Sequence, residues 1–357
     1  MKGPDGRPSG PFLFEYTCIR AVTAFRGGKA MSFMRVSGIT VLLAAIVLQC
    51  AVAKERAPLA PGAMPPACDR ACLYGFMDRY LDALVRKEPA KLPWARNARF
   101  TENNVELSIG DGLWGTITGL GDYKLKFADP ATGQVGFYGV VKETVTSSGF
   151  SVRMKVEDGK ITQLETVILR VADMGALGPG ENPFNKGVFV DKPILQQDVP
   201  PNLRRPRERM ISLANGYFDT LQLNDGTLFT EFDPACNRTE NGLQTTNNPA
   251  KPLGYYSALG CAEQFKLGIY RYDDRLRARR FPLVDEERGL VLTMGFIDHS
   301  GTLGSYKLTD GTTLESPIRR PHSFHLMELF KIVDGKLRQV EALFIAVPYN
   351  MPSPWDE

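Results

Sequence analysis

Along this chain the spacing of apolar residues changes from helical to strand-like twice, in the same order each time. From Ala71, apolar side chains recur at Leu73, Phe76, Met77, Tyr80, Leu81 and Leu84 with charged residues between them, which is helical spacing. Cys68 or Asp69 stands near the N-cap and Pro89 lies just past the end. A second short helix is expected around Leu92, Pro93 and Trp94. After Arg99 the texture becomes alternation broken by glycine. "DYKLKFAD", "GQVGFYGVVKETV", "FSVRMKVEDGK" and "ITQLETVILRV" read as four strands separated by turn chemistry.

The pattern then restarts. Met210, Leu213, Tyr217, Phe218 and Leu221 restore helical spacing. Tyr80-Leu81-Asp82 aligns with Tyr217-Phe218-Asp219 at an offset of 137, and Thr101-Glu102-Asn103 with Thr239-Glu240-Asn241 at 138. Asp158-Gly159-Lys160 aligns with Asp334-Gly335-Lys336 at 176, carrying Gln163 onto Gln339 and Glu165 onto Glu341. The second unit therefore holds 38 further residues in its middle, the difference between offsets of 176 and 138. Three matches in one order make the chain a tandem repeat. Each unit is read as helix, short helix, strand, then an antiparallel meander whose last hairpin turns at Asp-Gly-Lys. Helices followed by a run of strands give the α+β class, with helices packed on one face of a curved sheet. The units span 68–172 and 206–348. A Gly- and Pro-rich linker, 173–205, joins them in extended form, with Phe184, Val188, Phe189, Ile194 and Leu195 available for packing, and 349–357 is a tail.

Charge changes the picture at the N-terminus. Residues 1–53 hold six Lys/Arg and two acids, leaving 37 basic and 38 acidic residues in the remainder. No basic stripe is left to attract a phosphate backbone, so nucleic acid is excluded as a partner. Arg35, the apolar run Ile39–Leu48 and Ala51-Val52-Ala53 form a secretory signal peptide with a small-residue cleavage site. Met31 or Met34 is then a natural start, which makes the preceding residues an over-extension. The apolar run is short for a membrane span. Cleavage after Ala53 leaves a flexible lead-in, 54–67, and a secreted or periplasmic protein with no stable membrane span. Val47-Leu48-Gln49-Cys50 is a poor lipid-attachment site because Gln precedes the cysteine. Four cysteines remain in an oxidising compartment. Proximity favours the disulfides Cys68–Cys72 and Cys236–Cys261; a four-thiolate zinc site is the competing reading, but the spacings match no familiar zinc motif.

The order of elements and the terminal hairpin resemble the nuclear-transport-factor-2-like superfamily, which includes ketosteroid isomerase and SnoaL-like cyclases. More closely, "YFDTLQLNDG", "TENG" and "RRPHSFHLMELFKI" look like a family of secreted fungal and bacterial proteins of unknown function. The superfamily resemblance implies two cone-shaped α+β barrels, each around a mostly apolar cavity. It also implies chemistry without cofactor or metal, run by carboxylates, Tyr or His whose pKa values are set apart by an apolar wall. Tyr80 and Tyr217 lie on the helix expected to face that cavity, although no matching pair of aspartates can be assigned.

The histidines narrow the search to the second unit, which holds all three. On a strand, His322, Phe324, Leu326 and Glu328 share one face, and His325 points to the other. One of His322 and His325 should thus enter the cavity and serve as acid or base, while His299, in a turn-like "DHSG", is expected to be exposed. Glu102 and Glu240 each begin a strand at the expected mouth of a cone. Each reads either as a base or ligand anchor or as part of a helix–strand junction. Asn103 and Asn241 complete those junctions, and Asn241 and Arg238 are candidate ligand contacts. "GDGLWGTITGLGDY" lacks phosphate-loop spacing and reads as a loop plugged by Trp114. The insertion "QTTNNPAKPLGYYSALGCAEQFKLGIY" supplies either a lid or a third helix, and "RLRARRF" either a solvated face or a hairpin partner for "VDEER". The functional expectation is a small, largely apolar organic ligand in the second cone, turned over by a cofactor-independent lyase, isomerase or dehydratase. The alternative is a non-catalytic binding or assembly module, with homo-oligomerisation left open.

Overall fold

The computed structural model describes residues 68–144, 146–170, 189–250 and 254–355. The leader, the lead-in and most of the linker, with Phe184 and Val188, lie outside the described residues. Helix α1 (Arg70–Arg86) starts where the Asp69 carboxylate accepts the Cys72 amide at 2.8 Å, and it stops at Lys87 in the left-handed region. Its buried face is the set read from periodicity: Leu73, Phe76, Met77, Tyr80, Leu81 and Leu84. The expected second helix is a single 3-10 turn, Pro89–Lys91; Trp94 already belongs to a strand.

The first unit continues through β1 (Trp94–Glu102), β2 (Val105–Glu106), α2 (Leu113–Thr116), β3 (Ile117–Asp129), β4 (Gln134–Glu143), β5 (Ser147–Glu157) and β6 (Lys160–Leu169). Its sheet has the order β2-β1-β6-β5-β4-β3, antiparallel except where β1 runs parallel to β6. After α3 (Pro193–Gln196), the second unit comprises α4 (Arg207–Leu223), β7 (Phe232–Glu240), β8 (Leu243–Gln244), α5 (Cys261–Leu267), β9 (Arg275–Asp285) and β10 (Leu290–His299). It ends with a small hairpin, β11 (Ser305–Lys307) and β12 (Thr313–Glu315), then β13 (His322–Val333) and β14 (Lys336–Val347). Its sheet order is β8-β7-β14-β13-β10-β9, the same topology. The parallel registers repeat too: Thr101 faces Glu165 as Thr239 faces Glu341. Both terminal hairpins turn on an Asp and a Gly with positive φ, 49° and 72° in one, 51° and 72° in the other, the type I′ geometry that matches strand twist. Neither sheet closes into the expected barrel, because the short β2 and β8 at one edge never meet β3 and β9 at the other.

Three cores result. One lies between α1 and the first sheet, one between α4 and the second, and a third joins the sheets face to face. In this shared layer Tyr123, Phe127 and Tyr138 of one unit pack with Leu283, Met294 and Leu343 of the other. The seam is reciprocal. Arg70 of α1 reaches Asp285 of β9 at 2.5 Å, and Arg207 of α4 reaches Asp129 of β3 at 2.7 Å. Each aspartate also accepts an amide across the seam, Asp285 from Ala128 and Asp129 from Val284. "RLRARRF" is no partner for "VDEER": Arg275 and Arg277 hold buried Asp298, Arg279 holds Asp219, and Arg280 crosses the seam to Glu165. The tail crosses as well, with Trp355 donating to Thr101 at 3.2 Å and stacking near Arg99, Arg153 and Arg280. Among the described residues no helix is long and apolar enough to cross a membrane.

Removing either seam aspartate strands a buried amide and a guanidinium. Asp129→Ala and Asp285→Ala are each expected to cost about 3 kcal/mol in urea unfolding. Asp78→Ala, which breaks an exposed pair with Lys126, should cost under about 1 kcal/mol.

Candidate functional site

The repeated Thr-Glu-Asn ends β1 and β7, and its asparagines do the same work in both units. Asn103 and Asn241 take left-handed φ values of 51° and 49°, which asparagine tolerates. Their Oδ1 atoms accept the amides of Ile168 and Phe344 on the last strand at 2.8 and 2.9 Å. Asn241 is therefore committed to backbone and does not face a ligand, contrary to the expectation from sequence.

The glutamates diverge. Glu102 accepts the Leu113 amide at 2.7 Å, closing the start of α2, and a Cβ on Gly112 would collide with its carboxylate. Trp114, on α2, is buried with its ring edge-on to Tyr80 at 5.8 Å. The concave side of the first sheet is thereby filled, as the plug reading of Trp114 anticipated. Tyr80 is a core residue and Glu102 closes the start of α2.

In the second unit, two apolar core positions have become polar. The register equivalence places Arg238 where the first unit has Phe100, and Glu328 where it has Val152. The insertion replaces α2 with a 3-10 turn, Tyr255–Ala258, and α5, which the disulfide Cys236–Cys261 ties to β7. The other disulfide, Cys68–Cys72, closes the start of α1. The insertion thus supplies a further helix and also lines an open cavity of about 480 Å³, walled by Tyr256, Tyr270, Tyr272, Tyr306, Phe324 and Phe344. Glu240 lines this cavity and also an inner chamber of about 90 Å³ that holds Tyr217, Arg238, Tyr270, Asp273 and Glu328.

Hydrogen bonds set the chamber's geometry. Arg238 Nη1 donates to Gln264 Oε1 at 3.0 Å and to the Tyr270 hydroxyl at 3.1 Å, and Nη2 pairs with Glu240. Gln264 in turn donates to the carbonyls of Thr245 and Tyr256 at 2.7 and 2.8 Å, so α5 orients the guanidinium. Arg238 Nε is buried without a partner. Glu328 is fully enclosed, and burial pushes its carboxyl up to about 8 against the pull of Arg238, with Tyr217 hydrogen-bonded to it. The chamber thus sets a buried acid that keeps its proton at neutral pH beside a carboxylate, Glu240, held in an ion pair.

The histidines sit differently from expectation. His325 is on the far face of β13, in the seam against Phe296 at 5.1 Å, and burial lowers it to about 4. It is neutral and remote from the cavity because strand alternation turns it away. His322 is on the cavity side but lines an adjoining cleft with Arg319 and Arg320. Burial lowers its pKa too. His299 is wholly buried, not exposed: its Nε2 lies 2.8 Å from Asp273, and its ring stacks on His322 at 4.6 Å. Among the described residues no hydrogen bond joins a histidine to Glu240. Glu328, Gln264, Tyr270 and Asp273 were not singled out from sequence. Glu328 was within reach, since it shares the His322–Phe324–Leu326 face and replaces a valine of the first unit.

A family model described as a domain of unknown function, DUF8021, matches twice, over residues 67–168 and 203–344. No curated protein sequence matches the chain. Among solved structures, a protein from Sphaerobacter thermophilus is 14% identical, with a TM-score of 0.23, over 27% of this chain and 94% of that one. A de novo designed protein with a curved β-sheet is also 14% identical, with a TM-score of 0.24, over 28% of this chain and 87% of that one.

Glu328 carries a pH signature. A raised carboxyl binds its proton in the folded state while the unfolded carboxyl has already ionised. Its presence therefore erodes stability as pH rises from about 4.5 to about 8. Glu328→Gln should be more stable than wild type at pH 8, by on the order of 2–4 kcal/mol. The difference should shrink toward pH 4.5 in urea unfolding followed across pH.

Proposed function

We propose, for a chain that belongs to the DUF8021 family, that it is an exported protein whose second unit binds a small, largely apolar organic molecule and moves a proton on it. The observation that carries this reading is the pairing of Glu240 with Glu328 in one chamber, the first in an ion pair with Arg238 and the second kept neutral by burial. Two carboxyls with separated protonation states are what general base and general acid require. Glu240 takes a proton from carbon. Glu328 gives its proton to an oxygen of the same molecule, either a carbonyl that becomes an enol or a hydroxyl that leaves as water. The unpartnered Arg238 Nε–H donates to that oxygen as negative charge grows on it. The reaction class is a cofactor-independent isomerase, lyase or dehydratase. The long helix packed on one face of a meander of the same topology in each unit further supports reading each as an open variant of the nuclear-transport-factor-2-like cone.

A second reading is favoured for the first unit alone. Trp114 and Glu102 close its concave side, so this unit acts as a non-catalytic support whose sheet backs the second.

Thermal-shift screening of small cyclic ketones and alcohols tests the site. A hit should stabilise wild type and Glu102→Gln but lose most of its effect in Glu240→Gln and Glu328→Gln. Its conversion should slow above about pH 8 as Glu328 loses its proton. Equal stabilisation of all four proteins would remove the site.

A further inference from the structure

The main cavity has a one-sided charge. Among the described residues six of its lining side chains are aromatic, its only charged lining groups are Glu240 and Glu315, and no Lys, Arg or His lines it. Glu315 is exposed and pairs with Arg319 at 2.6 Å, outside the cavity. In the adjoining chamber Arg238 pairs with Glu240, and the His299 Nε2 lies 2.8 Å from Asp273. The groups around Glu328 are Tyr217 from α4, Arg238 and Glu240 from β7, and Tyr270 and Asp273 from the segment after α5. Arg238 is the cation among them, and Glu240 and Glu328 share it.

We propose that the occupant of this cavity carries a positively charged nitrogen, an alkylammonium or quaternary ammonium group on a small apolar body, held between the aromatic walls and the Glu240 carboxylate. Ring faces are electronegative, and several of them around a cation replace its water shell where no single anion could. The apolar body fills the rest of the roughly 480 Å³. The proposal rests on reading the cavity as a ligand site, and it adds the ligand's charge.

Phenyltrimethylammonium and its neutral isostere tert-butylbenzene, titrated against the full chain by ligand-observed NMR, separate the possibilities. The cation should bind at least about ten-fold more tightly, since one ring–cation contact freed of water already gives that factor. Tyr272→Leu and Glu240→Gln should each weaken it several-fold while changing tert-butylbenzene by less than about two-fold. Equal affinities for the two probes would overturn the cation proposal and leave the apolar cavity standing. Binding of neither probe would overturn both readings.

Discussion

Everything in the second unit's cavity depends on a pair of buried aspartates that lie elsewhere. Asp129 and Asp285 sit at equivalent places in the two sheets, and each takes an arginine and an amide from the opposite unit. A buried carboxylate without such partners costs several kcal/mol, so the two sheets are held in a single register by the need to satisfy both acids at once. With the sheets locked back to back, the apolar seam can form and each helix is confined to an outer face. The concave sides are then free to differ.

They differ by a small number of residues. One unit puts Phe100, Val152 and Trp114 into its concave side; the other puts Arg238 and Glu328 there and opens the space with the turn Tyr255–Ala258 and α5 of the insertion. A hollow, charged interior is less stable than a filled one. The first unit and the shared core supply the compensating burial. The disulfide Cys236–Cys261 and the bonds of Gln264 then hold the less stable side in one geometry.

How much of this was legible depends on how local each signal is. The duplication, α1, the terminal hairpins and both disulfides were readable because helical spacing, Asp-Gly turns and near-neighbour cysteines are properties of short segments. The sheet-to-sheet seam was not, since it joins residues more than a hundred positions apart. Yet β4, buried along "QVGFYGVV", carried a hint: a strand apolar on both faces must be covered on both. The site was misjudged through chemistry rather than pattern. Histidine suits neutral pH in water, so His322 and His325 drew attention. Burial reverses that preference, lowering His325 in the seam and raising Glu328 in the chamber into the working range. The Thr-Glu-Asn repeat located the right strand, but its glutamate serves as a helix cap in one copy and an ion-pair partner of Arg238 in the other.

The linker has a physical consequence of its own. Leu195 and Phe189 pack into the shared core, and Lys192 lies 3.0 Å from Glu341, so the described end of the linker, from Phe189, lies against the seam. Tethering turns the meeting of the two sheets into an intramolecular event, at an effective concentration in the millimolar range. Because both sheets belong to one chain, their meeting does not depend on protein concentration, and the cavity keeps its backing sheet on dilution.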